Sequence, residues 1–401
     1  MGLHVPKAFS LMALAYILLA WRCRAALLSP PSVIRCCAPV LLVFGISYGL
    51  ISLHFGLWTF AGRDLWDLIG IALLPAAGLW IGGRSAAVLS WRQMAGLWLA
   101  YGLGALLFAW IVLLKSRFFP AGQLLEIWLR RREQLISVPW GTDLLMNVRS
   151  IEQNAALALA WLVPGLWLLV IGTQRRLAVV LVVSGLLALA AVLAFNSRLG
   201  LLLAALGIVP VLVASKRRWV WWLLGGGSAL VLALQLGPGW WPRLLARLYD
   251  ERFDRFIGFL MAAPQFPWGG NQIHFVYVDH QRHSLVEFDA RNGELLHNVI
   301  FDIYARVGWW PALLLLLGLI PLLLKASLHL CAALRVPETG ELGGAVLAAG
   351  MLLCLTLQWL FQPLIFADGL LFYLGFLVLG FLASKQPSIA RTSSCRLTPT
   401  P

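Results

Sequence analysis

From Leu177 to Phe195, and again from Pro311 to Leu324, the chain carries no ionisable side chain. A helix of ~20 such residues is as long as the ~30 Å hydrocarbon core of a bilayer is thick. In lipid, only helices and closed barrels pair every backbone N–H and C=O. Barrel strands alternate apolar and polar residues, whereas these runs are continuous and so predict helices. Only 12% of the 401 residues are charged, against roughly 25% in a soluble domain. The expected fold class is all-α, a polytopic bundle of transmembrane helices.

Segmentation by length and hydropathy gives about eleven helices. The first seven run near Phe9–Trp21, Cys36–Phe60, Leu65–Gly83, Gln93–Leu114, Asn154–Gly172, Leu177–Phe195 and Leu199–Ala214. The remaining four are Trp219–Leu236, Gly308–Leu324, Leu342–Phe361 and Leu364–Ala383. Phe9–Trp21 follows Lys7 as a signal peptide would, but no small-residue cleavage site follows it, and it reads as a helix. The chain divides into an N-terminal bundle (1–236, with a polar loop at 115–153), a long loop (237–307), C-terminal helices (308–384) and a disordered tail (385–401).

Charge orients this arrangement. Arg22, Arg24, Arg35, Arg84, Arg92, Arg175, Arg176, Lys216, Arg217, Arg218, Lys325, Arg335 and the tail's Lys385, Arg391 and Arg396 fall in one set of short loops. The opposite short connections offer Arg63 and Arg198. Basic short loops stay in the cytoplasm, so the C-terminus is expected inside and the long loops outside. The net charge of +14 is thus explained by topology, and no nucleic-acid partner is implied. Six Cys, none in a CxxC pair, indicate neither a zinc site nor a disulfide framework. His274, Asp279, His280 and His283 fit no common zinc spacing. Few helices hold a buried carboxylate of the kind a proton-coupled transporter needs; His54, Asp67 and Asp368 all lie near helix ends.

A loop as long as 237–307 is functional or disordered, and its aromatic residues argue for a folded cap at the interface. Within it, Tyr249–Ala262 is expected to form an amphipathic helix on the membrane surface, ended by Pro264, Pro267, Gly269 and Gly270. Three groups on the outer side carry possible chemistry. Arg198, in Asn196-Ser197-Arg198-Leu199-Gly200, is placed to bind an anionic group bidentately at headgroup depth, or to snorkel to lipid phosphates. Arg243, Arg247, Arg252 and Arg255 make a basic row suited to a diphosphate, or a plain headgroup-facing patch in which Asp254 neutralises a neighbour. His297, in Glu294-Leu295-Leu296-His297-Asn298, stands just before the chain re-enters the membrane and is a candidate general base.

In order and spacing these features resemble the O-antigen ligase and polymerase superfamily of bacterial envelope glycosyltransferases (GT-C type). Ser197-Arg198-Leu199-Gly200 followed by an apolar helix is similar to the family's Ser-Arg-Gly turn, with Leu199 where Gly is typical. Arg252 leading to Pro267-Trp268-Gly269-Gly270 is similar to its Arg-led helix ending in a Pro-x-Gly turn. His297-Asn298, nine residues and Gly308 match the ligase pattern, with Pro311 where a Gly, Thr or Tyr follows.

The resemblance implies a metal-independent glycosyltransferase, needing no cofactor, whose donor is a polyprenyl-diphosphate-linked glycan and whose acceptor is lipid A-core on the periplasmic face of the bacterial inner membrane. It implies that Arg198, Arg252 and Arg255 bind the donor diphosphate. His297 would activate the acceptor hydroxyl, with Asn298 and Gly308 fixing the supporting turn. The related alternatives are an O-antigen or exopolysaccharide polymerase and a protein O-oligosaccharyltransferase; a lipid or glycan transporter and a structural scaffold are readings of other classes.

Overall fold

The computed structural model describes residues 8–22, 32–56, 65–115, 137–139, 145–147, 155–195, 197–215, 251–279, 284–292, 294–335, 341–362 and 369–385. They are mostly helical. The N-terminal part holds α1 (Ala8–Arg22), α2 (Ser32–His54), α3 (Leu65–Val88) and α4 (Trp91–Lys115), then a short hairpin of β1 (Ser137–Pro139) and β2 (Leu145–Asn147). Next come α5 (Leu162–Val170), α6 (Arg175–Phe195), α7 (Arg198–Leu206) and α8 (Ile208–Ala214). The cap comprises α9 (Glu251–Ala262), the antiparallel hairpin β3 (His274–Asp279) and β4 (Ser284–Asp289), and α10 (Val299–Val307). α11 (Trp309–Arg335), α12 (Leu342–Phe361) and α13 (Gly369–Ser384) complete the bundle.

Six of the described helices are long and apolar enough to cross a membrane, namely α2, most of α3, α4, α6, α11 and α12. Three sequence expectations need correction. The long loop holds strands as well as helices, because His274-Phe-Val-Tyr-Val-Asp279 alternates along its length and buries every second side chain from Phe275 to Asp279 at least partly. The helix expected to stop at Leu324 runs on to Arg335, since Lys325 ends the apolar run but not helix propensity. Asn154–Gly172 and Leu199–Ala214 are each interrupted, and Pro164 and Pro210 sit in the first turn of the segments that follow. The two interruptions pack together, and a Cβ on Gly207 would meet the Ala160 carbonyl. The expected helix Trp219–Leu236, Arg63, Arg243, Arg247, His280, His283, Asp368 and the tail beyond Lys385 lie outside the described residues.

Apolar burial gives no net attraction between helices already in lipid, so backbone proximity at small residues decides the packing. α3 and α13 meet this way: a Cβ on Gly82 would strike the Leu377 carbonyl, and one on Gly380 would strike that of Leu79. Tyr16 of α1 crosses Gly78 of α3 and donates its hydroxyl to the Tyr373 carbonyl of α13 at 2.9 Å.

The two ends of the bundle differ in charge. At one end Gly344 of α12 backs onto Trp91 of α4, and Gly343 onto Gln174 and Leu177 at the start of α6. Lys385, just past α13, donates to the Ala86 and Leu89 carbonyls at the end of α3, at 3.1 and 2.8 Å. Lys325 lines a groove with Cys36 and Cys37 near the start of α2. This end therefore gathers Arg35, Arg84, Arg92, Arg175, Arg176, Lys325 and Lys385. The cap sits at the other, against the ends of α2 and α12 and the start of α11.

Replacing Gly380 by Leu drives a side chain into α3 backbone and is expected to cost about 1–3 kcal/mol, lowering the melting temperature of the purified protein. Gly96→Leu, where a Cβ meets nothing within 4 Å, leaves the melting temperature unchanged or raises it. Equal melting of the two variants would contradict the close approach of α3 and α13.

Candidate functional site

The cap is built on two segments that share one anchor. α12 ends with carbonyls that have no partner in their own helix, and the negative end of its dipole collects there. Arg252 Nη1 of α9 donates to the Phe361 carbonyl at 2.9 Å. Asn298 Nδ2, just ahead of α10, donates to the neighbouring Leu360 carbonyl at 3.1 Å. Phe253 also meets the Phe361 ring, with centroids 6.4 Å apart.

α9 is amphipathic in the sense its sequence suggests, with Arg252, Asp254 and Arg255 turned inward. Phe253, Ile257, Leu260 and Met261 form an outward stripe, 46 to 75% exposed. Asp254 is buried, and Arg252 and Arg255 are half-buried on the side that meets the protein. Arg255 Nη1 donates to the Leu295 carbonyl at 3.0 Å, and its Nε and Nη2 donate to the Tyr277 hydroxyl at 3.3 and 3.2 Å. The basic pair is thus held by protein carbonyls and a phenol, and does not form a plain headgroup-facing patch. Phe259, Ile273, Phe288 and Leu296 fill the small core between α9, the hairpin and α10.

The nine residues between Asn298 and Gly308 form α10. Asn298 is its N-cap, and its Oδ1 accepts from the amides of Ile300 and Phe301 at 3.0 and 3.2 Å. Such a cap contributes about 1 kcal/mol. His297, immediately before it, adopts a left-handed conformation with φ 61°. For a residue with a Cβ that conformation costs roughly 1–2 kcal/mol, and it persists because both flanks are fixed. Leu295 is held through its carbonyl by Arg255, and the Leu296 amide donates to Asp302 Oδ1 at 2.6 Å.

Asp302 and Arg306 share the buried face of α10, one turn apart. Both are missed when 299–307 is read only as a spacer. An acidic and a basic residue four apart in an amphipathic nine-residue stretch were the available signal. Burial pushes the Asp302 carboxyl up to about 7, against the pull of the Leu296 amide, Arg306, the Asn298 amide and Arg255.

Two glycine turns lock the cap to the bundle. Gly269 and Gly308 have φ of 61° and 90°, and each lies where a Cβ would strike backbone of the other's turn. Gly270 N–H donates to the Arg306 carbonyl at 2.7 Å, and Trp309 N–H to the Pro267 carbonyl at 3.0 Å. Pro311 falls in the first turn of α11, where a missing N–H disrupts nothing.

Arg198 opens α7. Ser197 caps that helix by accepting from Gly200 N–H at 3.1 Å, and a Cβ on Gly200 would strike Val192. α6 starts at the basic end, so this turn after its last residue lies at the cap end. The Arg198 side chain and Asn196 lie outside the described residues. Among the described residues, Arg252, Arg255, His297, Asn298 and Gly308 come together in the cap, joined by Asp302, Arg306 and Tyr277. No group of three His, Cys, Asp or Glu side chains able to hold a metal occurs among the described residues.

The raised Asp302 pKa sets a pH dependence. The unfolded carboxyl loses its proton near 3.8 and the folded one near 7, so the folded state holds the extra proton between those values. Stability therefore falls as pH rises through that window and levels off above it. A melting series from pH 5 to pH 8 is expected to show this fall in the wild type and a flatter profile in Asp302→Asn. Parallel profiles would contradict it.

Compared with protein-family models, with curated proteins and with solved structures, the chain finds no match.

Proposed function

We propose that the chain is a metal-independent, membrane-embedded glycosyltransferase that moves a glycan from a polyprenyl-diphosphate carrier to lipid A-core, in the manner of an O-antigen ligase. The observation that supports this most is the meeting of two motifs far apart in sequence. The Arg252-led helix with its Pro267–Gly270 turn, and the His297-Asn298 to Gly308 segment, close into one cap at the bundle end away from the basic loops. In this reading the positive-inside rule puts the cap on the periplasmic face and the C-terminus in the cytoplasm, and the proposed substrates imply the bacterial inner membrane.

The chemistry follows from charge. As the glycosyl carbon leaves the phosphate oxygen, negative charge grows on the diphosphate, and guanidinium groups fixed near it stabilise the transition state more than the ground state. Arg252 and Arg255 are preorganised for this by their bonds to protein, and Arg198 is the third candidate. His297 takes the proton of the acceptor hydroxyl as its oxygen forms the new bond to the sugar. The outward apolar stripe of α9 suits the headgroup–acyl boundary, the depth at which a carrier diphosphate sits. With a second carrier-linked glycan as acceptor the same site would be a polymerase, and Pro311, where ligases have Gly, Thr or Tyr, favours that second reading.

The test is glycan profiling of a deletion strain complemented with wild type, Arg198→Ala, Arg252→Ala or His297→Ala. The ligase reading expects each variant to lose about 10²-fold or more of the long glycan on lipid A-core, while full-length polymer accumulates on the carrier. Single repeat units alone would make the protein a polymerase. Unchanged envelope glycans in the deletion strain would overturn both.

A further inference from the structure

The His297 turn is unusual in how completely its backbone is determined. Three groups from three elements hold the residues around it: Arg255 of α9 on the Leu295 carbonyl, Asp302 of α10 on the Leu296 amide, and Asn298 between the start of α10 and the end of α12. Of these, Asp302 makes the shortest bond, 2.6 Å, and is 2% exposed. A buried acid is costly to keep, and this one is surrounded by Arg306 on its own helix and Arg255 from α9. Apolar packing alone would be satisfied by Leu or Val at the same site. A strained non-glycine conformation held by a buried polar group points to a role for the held residue.

We propose that Asp302 is the positioning residue of the His297 turn: by accepting the Leu296 N–H from beneath, it keeps His297 in its left-handed conformation and so presents the imidazole for the acceptor step. The proposal rests on the glycosyltransferase reading for what His297 does, but not for what Asp302 holds. It predicts that an acceptor atom at this position matters more than a charge. Asn retains a carbonyl oxygen for the Leu296 amide, whereas Leu keeps the volume and loses the acceptor.

Two readouts on the full-length protein in lipid nanodiscs separate the two layers. The first is amide hydrogen exchange over residues 294–298, which needs no substrate. Asp302→Leu is expected to speed exchange at Leu296 by about ten-fold or more, while β3–β4 keeps its protection and Asp302→Asn stays near wild type. If Asp302→Leu leaves Leu296 as protected as before, or if Asn opens the turn as far as Leu does, the proposal is overturned. Should Leu loosen the whole cap, the Asn variant decides by the same criterion.

The second readout is transfer from a polyprenyl-diphosphate glycan. Asp302→Leu is expected to lower kcat by about 10²-fold with donor KM unchanged, and Asn to restore most of it. A rise in KM with kcat intact would show that Asp302 serves binding and overturn the positioning role. If His297→Ala itself retains full transfer, the catalytic reading of His297 fails, and the exchange result still stands or falls on its own.

Discussion

A helix that stops inside a protein leaves its last carbonyls without donors, and the bundle meets that need at the end of the Leu342–Phe361 helix with two side chains from outside the membrane spans. Arg252 takes one carbonyl and Asn298 the next. Because these donors come from segments about fifty residues apart in the chain, a single helix terminus determines where both segments lie. The remaining cap contacts, Arg255 with Leu295 and Tyr277 and the small aromatic core beneath α9, build upon that placement.

The same terminus explains why charges point inward on a helix whose apolar side chains point out. In water, α9 would bury Phe253, Ile257, Leu260 and Met261 and expose its arginines. The outward stripe is exposed, as on a helix that lies at an interface, and the inward guanidiniums have carbonyls to bind. The basic clusters collect at the far end of the bundle, so the molecule separates two kinds of positive charge: those of the short connections there, and arginines placed within the cap.

Much of this was legible in the sequence because lipid forbids alternatives. A run such as Leu177–Phe195 has one way to satisfy its backbone, and the observed α6 spans Arg175–Phe195. The turn at Gly269 and Gly270 was legible too, since Pro and Gly there end the α9 segment, but its close backbone approach to Gly308 was not. The hairpin was not recognised, although Phe275, Tyr277 and Asp279 alternate with exposed neighbours, because six residues give a weak periodic signal amid aromatic-rich loops. The inward direction of Arg252 and Arg255 depends on what α9 packs against, which no local pattern states. Asp302 was hidden for the same reason: its meaning lies in the Leu296 amide, a partner outside its own helix that no local pattern names.

The joint between the Pro267–Gly270 turn and the start of α11 is made of main chain on both sides, with Trp309 N–H on the Pro267 carbonyl and Gly270 N–H on that of Arg306. Side-chain contacts can slide or change rotamer, but backbone bonds made at glycines of positive φ have no rotamer to change. The cap is therefore joined to α11 through main chain, and the geometry of that joint is independent of any side chain's rotamer.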